Sequence, residues 1–296
     1  MENYKGWGTK NPGHIVYLID LSESMRWNSF RNIKDVMEVT YKCLDQLIGP
    51  CLPGQSVFER FTASIIGYNS KIIHLFPNGG VAEIEKLLDS TYGKALFDYE
   101  KEEDPAYPRW QTYMASAFDA AYDDVTEWIS RQRQRGYYVP APYVINITDG
   151  HPEESDPTNP KENIPEEVAM KKALTAADRL KSIKTEDGDL LLFNIHYDPG
   201  ASDELITPVD RPVGNEILDK RRQFMYDASS VLPNEIVEAI WGMVDDPEEV
   251  NTHPFVKNVK HGSRAMISNA KDKTILANFV IFCSLTGMFK KESPMG

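Results

Sequence analysis

The chain has 296 residues, enough to bury a full core as one large domain or as one domain with an appendage. Hydrophobic residues make up 41% and charged residues 26%, which argues against extended disorder. A formal net charge of −13, from 45 acidic against 32 basic side chains, repels phosphate backbones and counts against nucleic-acid binding.

The opening "MENYKGWGTKNPGH" lacks the apolar run of a secretory signal. The next residues, "IVYLID" at 15–20, form a continuous β-branched run, the pattern of a strand buried on both faces. Phe30, Ile33, Met37, Tyr41, Leu44 and Ile48 then recur at gaps of three and four, which predicts an amphipathic helix ending at Gly49-Pro50. "FTASIIGYNS" and "KIIHLFP" read as a hairpin turning at Tyr68-Asn69-Ser70, with a short helix over 81–89 to follow. Residues 98–110 carry five carboxylates and two prolines and are expected to be a solvated loop. A helix opens near Thr112, with Met114, Phe118, Ala121, Val125 and Trp128 along one face. "PYVINIT" is a second buried strand, closed by Asp149, and "GHPEESDPTNP" is expected to be loop. A third helix aligns Ala169, Ala173, Ala176, Leu180 and Ile183 and leads into the strand "LLLFNIHY". Residues 199–214 look like an irregular excursion or a short β-ribbon, and a further helix spans about 233–244. A short strand-like piece, "RAMIS", precedes a helix over "KTILANFVIFCSL".

Strand and helix in alternation imply an α/β fold, doubly wound, with a mostly parallel central sheet, one antiparallel edge strand and helices on both faces. The expected plan is an N-terminal extension at 1–13, a domain at 14–250 and a C-terminal appendage at 251–296 packed on that domain. No window approaches the ~20 apolar residues of a membrane-spanning helix. Cys43, Cys51 and Cys283 have neither metal-type nor redox-type spacing and read as small buried hydrophobes. A cytoplasmic protein without a membrane partner is the simplest account.

In such a fold ligands sit beyond the carboxyl ends of the strands, where strand order reverses. Asp20 and Asp149 both end strands, so the topology brings them to one rim. Ser22 and Ser24 follow Asp20 at alternate positions, and Thr112 opens the helix before the second strand. Together these are hard oxygen donors, a set that selects Mg²⁺, with Mn²⁺ or Ca²⁺ as alternatives, over zinc or copper. Neutral hydroxyl ligands leave most of the ion's charge uncompensated, which suits the site to gripping a carboxylate brought by another protein's Asp or Glu. Alone, D-x-S-x-S is a weak signal, since Asp and Ser commonly cap helices and shape turns.

Three motifs in order make it specific. "VYLIDLSESM" resembles the D-x-S-x-S signature of von Willebrand factor A domains. "QTYMASAFDAAYD" resembles that family's threonine-bearing segment, and "VINITDGHP" its strand ending in T-D-G. The resemblance implies that Asp20, Ser22, Ser24, Thr112 and Asp149 form a metal ion-dependent adhesion site. It covers residues 14–245, and "FMYDASSVLP" is similar to the last core strand and helix start of bacterial members. The tail, with Gly262, Asn269-Ala270 and Thr286-Gly287, is similar to cytoplasmic bacterial members of tellurite-resistance or phosphatase- and kinase-associated clusters, although Lys271 replaces the aspartate expected there. By the same analogy, the last helices move when a partner's carboxylate arrives.

Bland roles stand beside these. Thr112 is also a candidate helix N-cap, with Thr91 as the fallback ligand. Thr148 is expected to bond Asp149 or the loop backbone. His151 and His196, near strand ends, read as satisfied polar residues, and the acidic run at 98–104 as a solvated face beside the site. Glu23, where the family commonly has glycine, is expected to point away from the metal and add negative charge. The rival reading is a metal-assisted hydrolase or phosphotransferase. Against it, Ser22 occupies the position where aspartyl-phosphate chemistry wants a second acid, and no phosphate-cradling glycine loop or G-x-S-x-G elbow occurs. A non-enzymatic interaction module is therefore expected.

Overall fold

The computed structural model describes residues 7–54, 56–90, 101–104, 107–156, 158–244, 246 and 248–288. Its strands are β1 (Gly13–Asp20), β2 (Phe61–Tyr68), β3 (Ile72–Gly80), β4 (Tyr143–Thr148), β5 (Ser155–Asp156), β6 (Asn159–Asn163), β7 (Lys184–Thr185), β8 (Gly188–Asp189), β9 (Leu191–Tyr197), β10 (Leu205–Ile206) and β11 (Met266–Ala270). The helices are α1 (Trp27–Ile48), α2 (Val81–Ser90), α3 (Met114–Gln134), α4 (Glu166–Lys181), α5 (Ile217–Ala228), α6 (Asn234–Trp241), α7 (Glu249–Thr252) and α8 (Lys273–Leu285).

Seven strands form one sheet in the order β10-β11-β9-β4-β1-β2-β3. The central pairs are parallel, and β3 is antiparallel to β2, as expected for an edge strand. Strand alternation splits the core cleanly. Ile15, Tyr17 and Ile19 of β1 face α1 and α8, whereas Val16 and Leu18 face α3 and α4. The predicted helix stripes are buried as read: Met114, Phe118, Ala121, Val125 and Trp128 on α3, and Ala169, Ala173, Ala176 and Leu180 on α4. From β1 the chain crosses to β2 through α1 on one face, then returns to β4 through α3 on the other, so strand order reverses at β1 and β4.

Four expectations need correction. The other edge is also antiparallel, because Leu205–Ile206 inside the 199–214 excursion pairs with β11. "GHPEESDPTNP" is not all loop: β5 and β6 form a small hairpin there. "FMYDASSVLP" does not supply the last core strand; its first residues belong to α5, which buries Phe224, Met225 and Ala228. That strand is β11, buried at all five positions between β9 and β10. The segment beyond 250 is therefore part of the sheet rather than an appendage, and its helix α8 packs along α1.

The two ends of the described chain also meet. Trp7 N–H donates to the Gly287 carbonyl at 2.7 Å. Its indole lies against Tyr143 and Phe61, with ring centroids 5.1 and 6.1 Å away. A Cβ on Gly13 would fall 2.0 Å from that ring and one on Gly287 2.3 Å from it, so only glycine admits the tryptophan at either place. We expect Trp7→Ala to cost about 3 kcal/mol by urea denaturation, and Gly287→Ala to cost about 1–3 kcal/mol through overpacking.

Candidate metal centre

Parallel pairing sets the site. Ile19 of β1 is in register with Ile147 of β4, so Asp20 and Thr148 leave the sheet side by side and Asp149 follows one step later. Asp20 is fully buried. Thr148 Oγ1 donates to its Oδ2 at 2.5 Å, and the Ser22 N–H donates to its Oδ1 at 2.7 Å. Of the two partners expected for Thr148, the loop backbone is found, at Gly150, and the carboxylate it bonds is Asp20 rather than Asp149.

After Asp20 the chain does not continue as a strand. The Ser22 N–H bond back to Asp20 makes a turn, and Glu23–Arg26 form a 3₁₀ turn that swings Ser24 toward β4. There the Ser24 hydroxyl donates to Asp149 Oδ1 at 2.6 Å, and the Ser22 and Ser24 hydroxyls lie 2.9 Å apart. Glu23 is half-exposed, 4.0 Å from Arg26.

Thr112 arrives on a separate loop pinned at three points. Arg109 N–H donates to the Leu21 carbonyl at 2.9 Å, Tyr113 N–H to Asn69 at 3.2 Å, and Glu153 N–H to the Thr112 carbonyl at 3.0 Å. A Cβ on Gly150 would lie 3.3 Å from Thr112 Oγ1 and 3.7 Å from Asp20 Oδ2, so both oxygens converge on that glycine. Thr112 is not the helix cap; Tyr113 occupies that position and makes no side-chain capping bond. The five residues singled out from the sequence are thus brought together. The fallback, Thr91, and residues 98–100 of the acidic run lie outside the described residues.

Two participants carry no local sequence signal, and a third, His196, offers only its place at a strand end. Asn32, on the first turns of α1, donates to Asp149 Oδ2 at 2.9 Å. Gln111 holds the Thr112 loop to the β5–β6 hairpin, donating to Ser155 Oγ at 2.7 Å and Asn163 Oδ1 at 2.6 Å, with its own φ at +72°. His196, at the end of β9, lines the same cavity as Asp149 and Asn269. Its place at a strand end was the one clue available. His151 stands further out, its Nε2 3.0 Å from Arg221.

Electrostatically the cluster is unbalanced. The hydrogen-bond partners of both carboxylates are neutral: the Ser22 N–H, Thr148, Ser24 and Asn32. Burial, and then the charge of Asp149, push Asp20 up from 3.8 to about 7. Burial also raises Asp149. Among the described residues no group of three or more His, Cys, Asp or Glu side chains could hold a metal ion, so any cation here must draw on hydroxyl oxygens. The residues present meet that demand: Ser24 donates its proton to Asp149 and accepts from Ser22, so one of its lone pairs stays available, and the buried Asp20 and half-buried Asp149 have no cationic hydrogen-bond partner.

No protein-family model matches the chain, and no curated protein matches it. Solved structures do. The pilus adhesin SpaC of Lactobacillus rhamnosus GG, in its open conformation, matches with a TM-score of 0.54 at 11% identity over 96% of this chain. The chain spans only 31% of SpaC. The vWF domain of the type V pili tip protein Mfa5 from Porphyromonas gingivalis covers 94% of this chain and 95% of its own length, at 10% identity and a TM-score of 0.49. Proximal thread matrix protein 1 from the mussel byssus, solved with a zinc-occupied MIDAS motif, matches over 66% of this chain and 37% of its own, at 13% identity and a TM-score of 0.36. In fold, the chain resembles the matched part of SpaC. At these identities the likeness concerns the fold alone.

Two measurements follow from the geometry. Because Asp20 titrates higher folded than unfolded, the chelator-treated protein is most stable below pH 4 with respect to this group and loses that contribution as pH rises toward 7. A thermal-melt series in EDTA should show this slope, and a saturating divalent cation should flatten it. Gln111→Ala, which removes the braces to Ser155 and Asn163, should cost about 1 kcal/mol in urea denaturation and weaken Mn²⁺ binding by titration calorimetry.

Proposed function

We propose that the protein is a divalent-metal-dependent interaction module that captures an acidic side chain of another protein. The observation carrying this reading is the meeting of a buried and a half-buried carboxylate with three hydroxyl side chains at the strand-order reversal, every hydrogen-bond partner of the carboxylates being neutral. Ser22, Ser24 and Thr112 would hold the ion directly, with Asp20 and Asp149 acting partly through water. Mg²⁺ is the preferred ion, and the same oxygens would accept Mn²⁺ or Ca²⁺. When bound, the ion supplies an electrophilic coordination position for an outside carboxylate.

The chain's own residues do the remaining work. Thr148 and the Ser22 N–H fix both oxygens of Asp20, and Asn32 fixes Asp149, so the ligands are set before an ion arrives. Glu23, next to the site serines, biases the face against partners of excess negative charge. We place this capture in the cytoplasm, in a bacterial stress-response or signalling complex. No helix among the described residues is long and apolar enough to cross a membrane, and all three cysteines are free and buried.

Ser22→Ala combined with Ser24→Ala should abolish EDTA-sensitive capture of the partner from the native cell, and lower Mn²⁺ affinity by at least tenfold, about 1.4 kcal/mol. The far-UV circular dichroism should stay that of the wild type. Loss of folding in this variant would make the serines structural. Hydrolysis of phosphate esters by the wild type that disappears in Asp20→Ala would favour the enzyme reading instead.

A further inference from the structure

Beside the metal-site loops a cavity of about 500 Å³ opens at the ends of β4, β9 and β11. Ser24, Asn32 and Asp149 line one side of it, so it is continuous with the candidate cation site. The rest of the lining is mixed, and its charges are unevenly shared. Asp149, Asp198 and Asp203 contribute carboxylates, against the single guanidinium of Arg221. His151 and His196 also line it, but burial holds both below the usual histidine value, so neither adds lasting positive charge at neutral pH.

Most of these charges already have partners. Arg221 Nε donates to Glu166 Oε1 at 2.8 Å. Asp203 accepts from Arg222 at 2.6 Å and from Asn269 at 2.7 Å. Asp149 belongs to the cation site. Asp198 is left over: it is exposed where it lines the cavity and makes no ion pair among the described residues. Lys271, close by in the fold, turns to Glu204 instead, 3.6 Å away. The backbone around Asp198 is fixed to β11 and the residue after it. Its N–H donates to the Ala270 carbonyl at 3.1 Å, and the Gly200 N–H to the Lys271 carbonyl at 2.9 Å.

A second, independent observation comes from β11. Side chains alternate along a strand, so Ser268 faces the same side as Met266, which packs into one core with Phe224 and Met225 of α5. Ser268 lines the cavity, is 2% exposed, and its hydroxyl has no hydrogen-bond partner among the described residues. Unlike Asn32 Oδ1 and His196 Nδ1, that hydroxyl is not sealed off. The neighbouring amides are engaged with one another: Tyr68 donates to Asn146, Asn146 to Asn194, and Asn194 to Ser229. Met114 and Leu218, with Phe224 and Met225, add apolar surface from α3 and α5.

A lone carboxylate and a free hydroxyl beside apolar surface suit a long alkyl stem that ends in a compact cation. An ammonium carries three donors and no acceptor, which matches acceptors of this kind. A second acid would meet the lining carboxylates and be repelled, and a purely apolar side chain would leave Asp198 without a counter-charge.

We infer that this cavity takes a lysine side chain from the same partner segment whose carboxylate reaches the cation. This rests on the metal-capture reading above. It adds a requirement that the cation alone does not impose, a base within two residues of the acid.

The test is titration calorimetry of the full chain loaded with Mn²⁺, using the terminally blocked peptides Asp-Lys and Asp-Gly-Lys. Their counterparts carry norleucine, which keeps the stem without the charge, or glutamate. The better lysine spacing should bind about tenfold more tightly than its norleucine counterpart, the size of a charge-assisted hydrogen bond, with glutamate weakest. Asp198→Asn keeps the shape and the backbone contacts; it should bring lysine to the norleucine level and leave Mn²⁺ affinity unchanged. Ser268→Ala should lower the lysine preference about threefold. Equal affinities for lysine and norleucine at both spacings, no measurable peptide binding to the Mn²⁺-loaded protein, or a lysine preference that survives Asp198→Asn would each overturn the pocket while the metal site stands. Failure of the wild type to bind Mn²⁺ would overturn both.

Discussion

Two carboxylates sharing one buried corner is the constraint on which the rest of this structure turns. Asp20 and Asp149 end neighbouring parallel strands, and the register of Ile19 with Ile147 leaves them no way to diverge. Each raises the cost of ionising the other, and burial adds to it. Nature's usual remedy would be an arginine or lysine, yet the partners supplied here are hydroxyls, one amide and one backbone N–H. On the function proposed above, this corner is completed by positive charge from outside.

The scaffold that enforces this is stiff. Helices α1 and α3 cover opposite faces of β1, so Asp20 is carried by a strand packed on both sides. Trp7 ties the first described residues to Gly287, and β11 inserts the late part of the chain beside β9. Loops then supply what the strands cannot. Thr112 is held by contacts to residues 21, 69 and 153, three separate connections, which makes its position a consequence of the whole rim rather than of its own helix.

Much of this was legible in the sequence because it depends on period and order. Apolar runs at 15–20 and 143–148 and the stripes of α1, α3 and α4 follow from burial on two faces or one, and the strand-end rule then places Asp20 and Asp149 together. What escaped depends on tertiary contact. Asn32 lies on a helix turn where asparagine has no distinctive pattern, and it matters only because β4 ends beside it. Gln111 looks like any loop residue until the hairpin at 155–163 meets it. β11 was read as part of an appendage because a five-residue run of small and apolar side chains gives weak periodicity, and only its insertion between β9 and β10 makes it core.

The distribution of local conflict bears on function in its own right. Of the five described non-glycine residues with positive φ, Phe30, Gln111 and Asn269 sit in segments near Asp20 and Asp149 or the adjoining cavity, while Asn78 and Thr207 lie toward the other end of the sheet. Buried polar atoms without partners occur at both ends: Asn32 Oδ1, Asn69 Nδ2 and His196 Nδ1 at this one, Trp128 Nε1 and Gln132 Oε1 toward the other. The opposite end is different in kind. There the buried His14 ring is bonded on both nitrogens, to Thr62 and Asp124 at 2.8 Å each, and stacks on Trp128. The two ends differ in how their acids are partnered: Asp20 and Asp149 meet only neutral donors, whereas Asp124 is paired with the His14 ring.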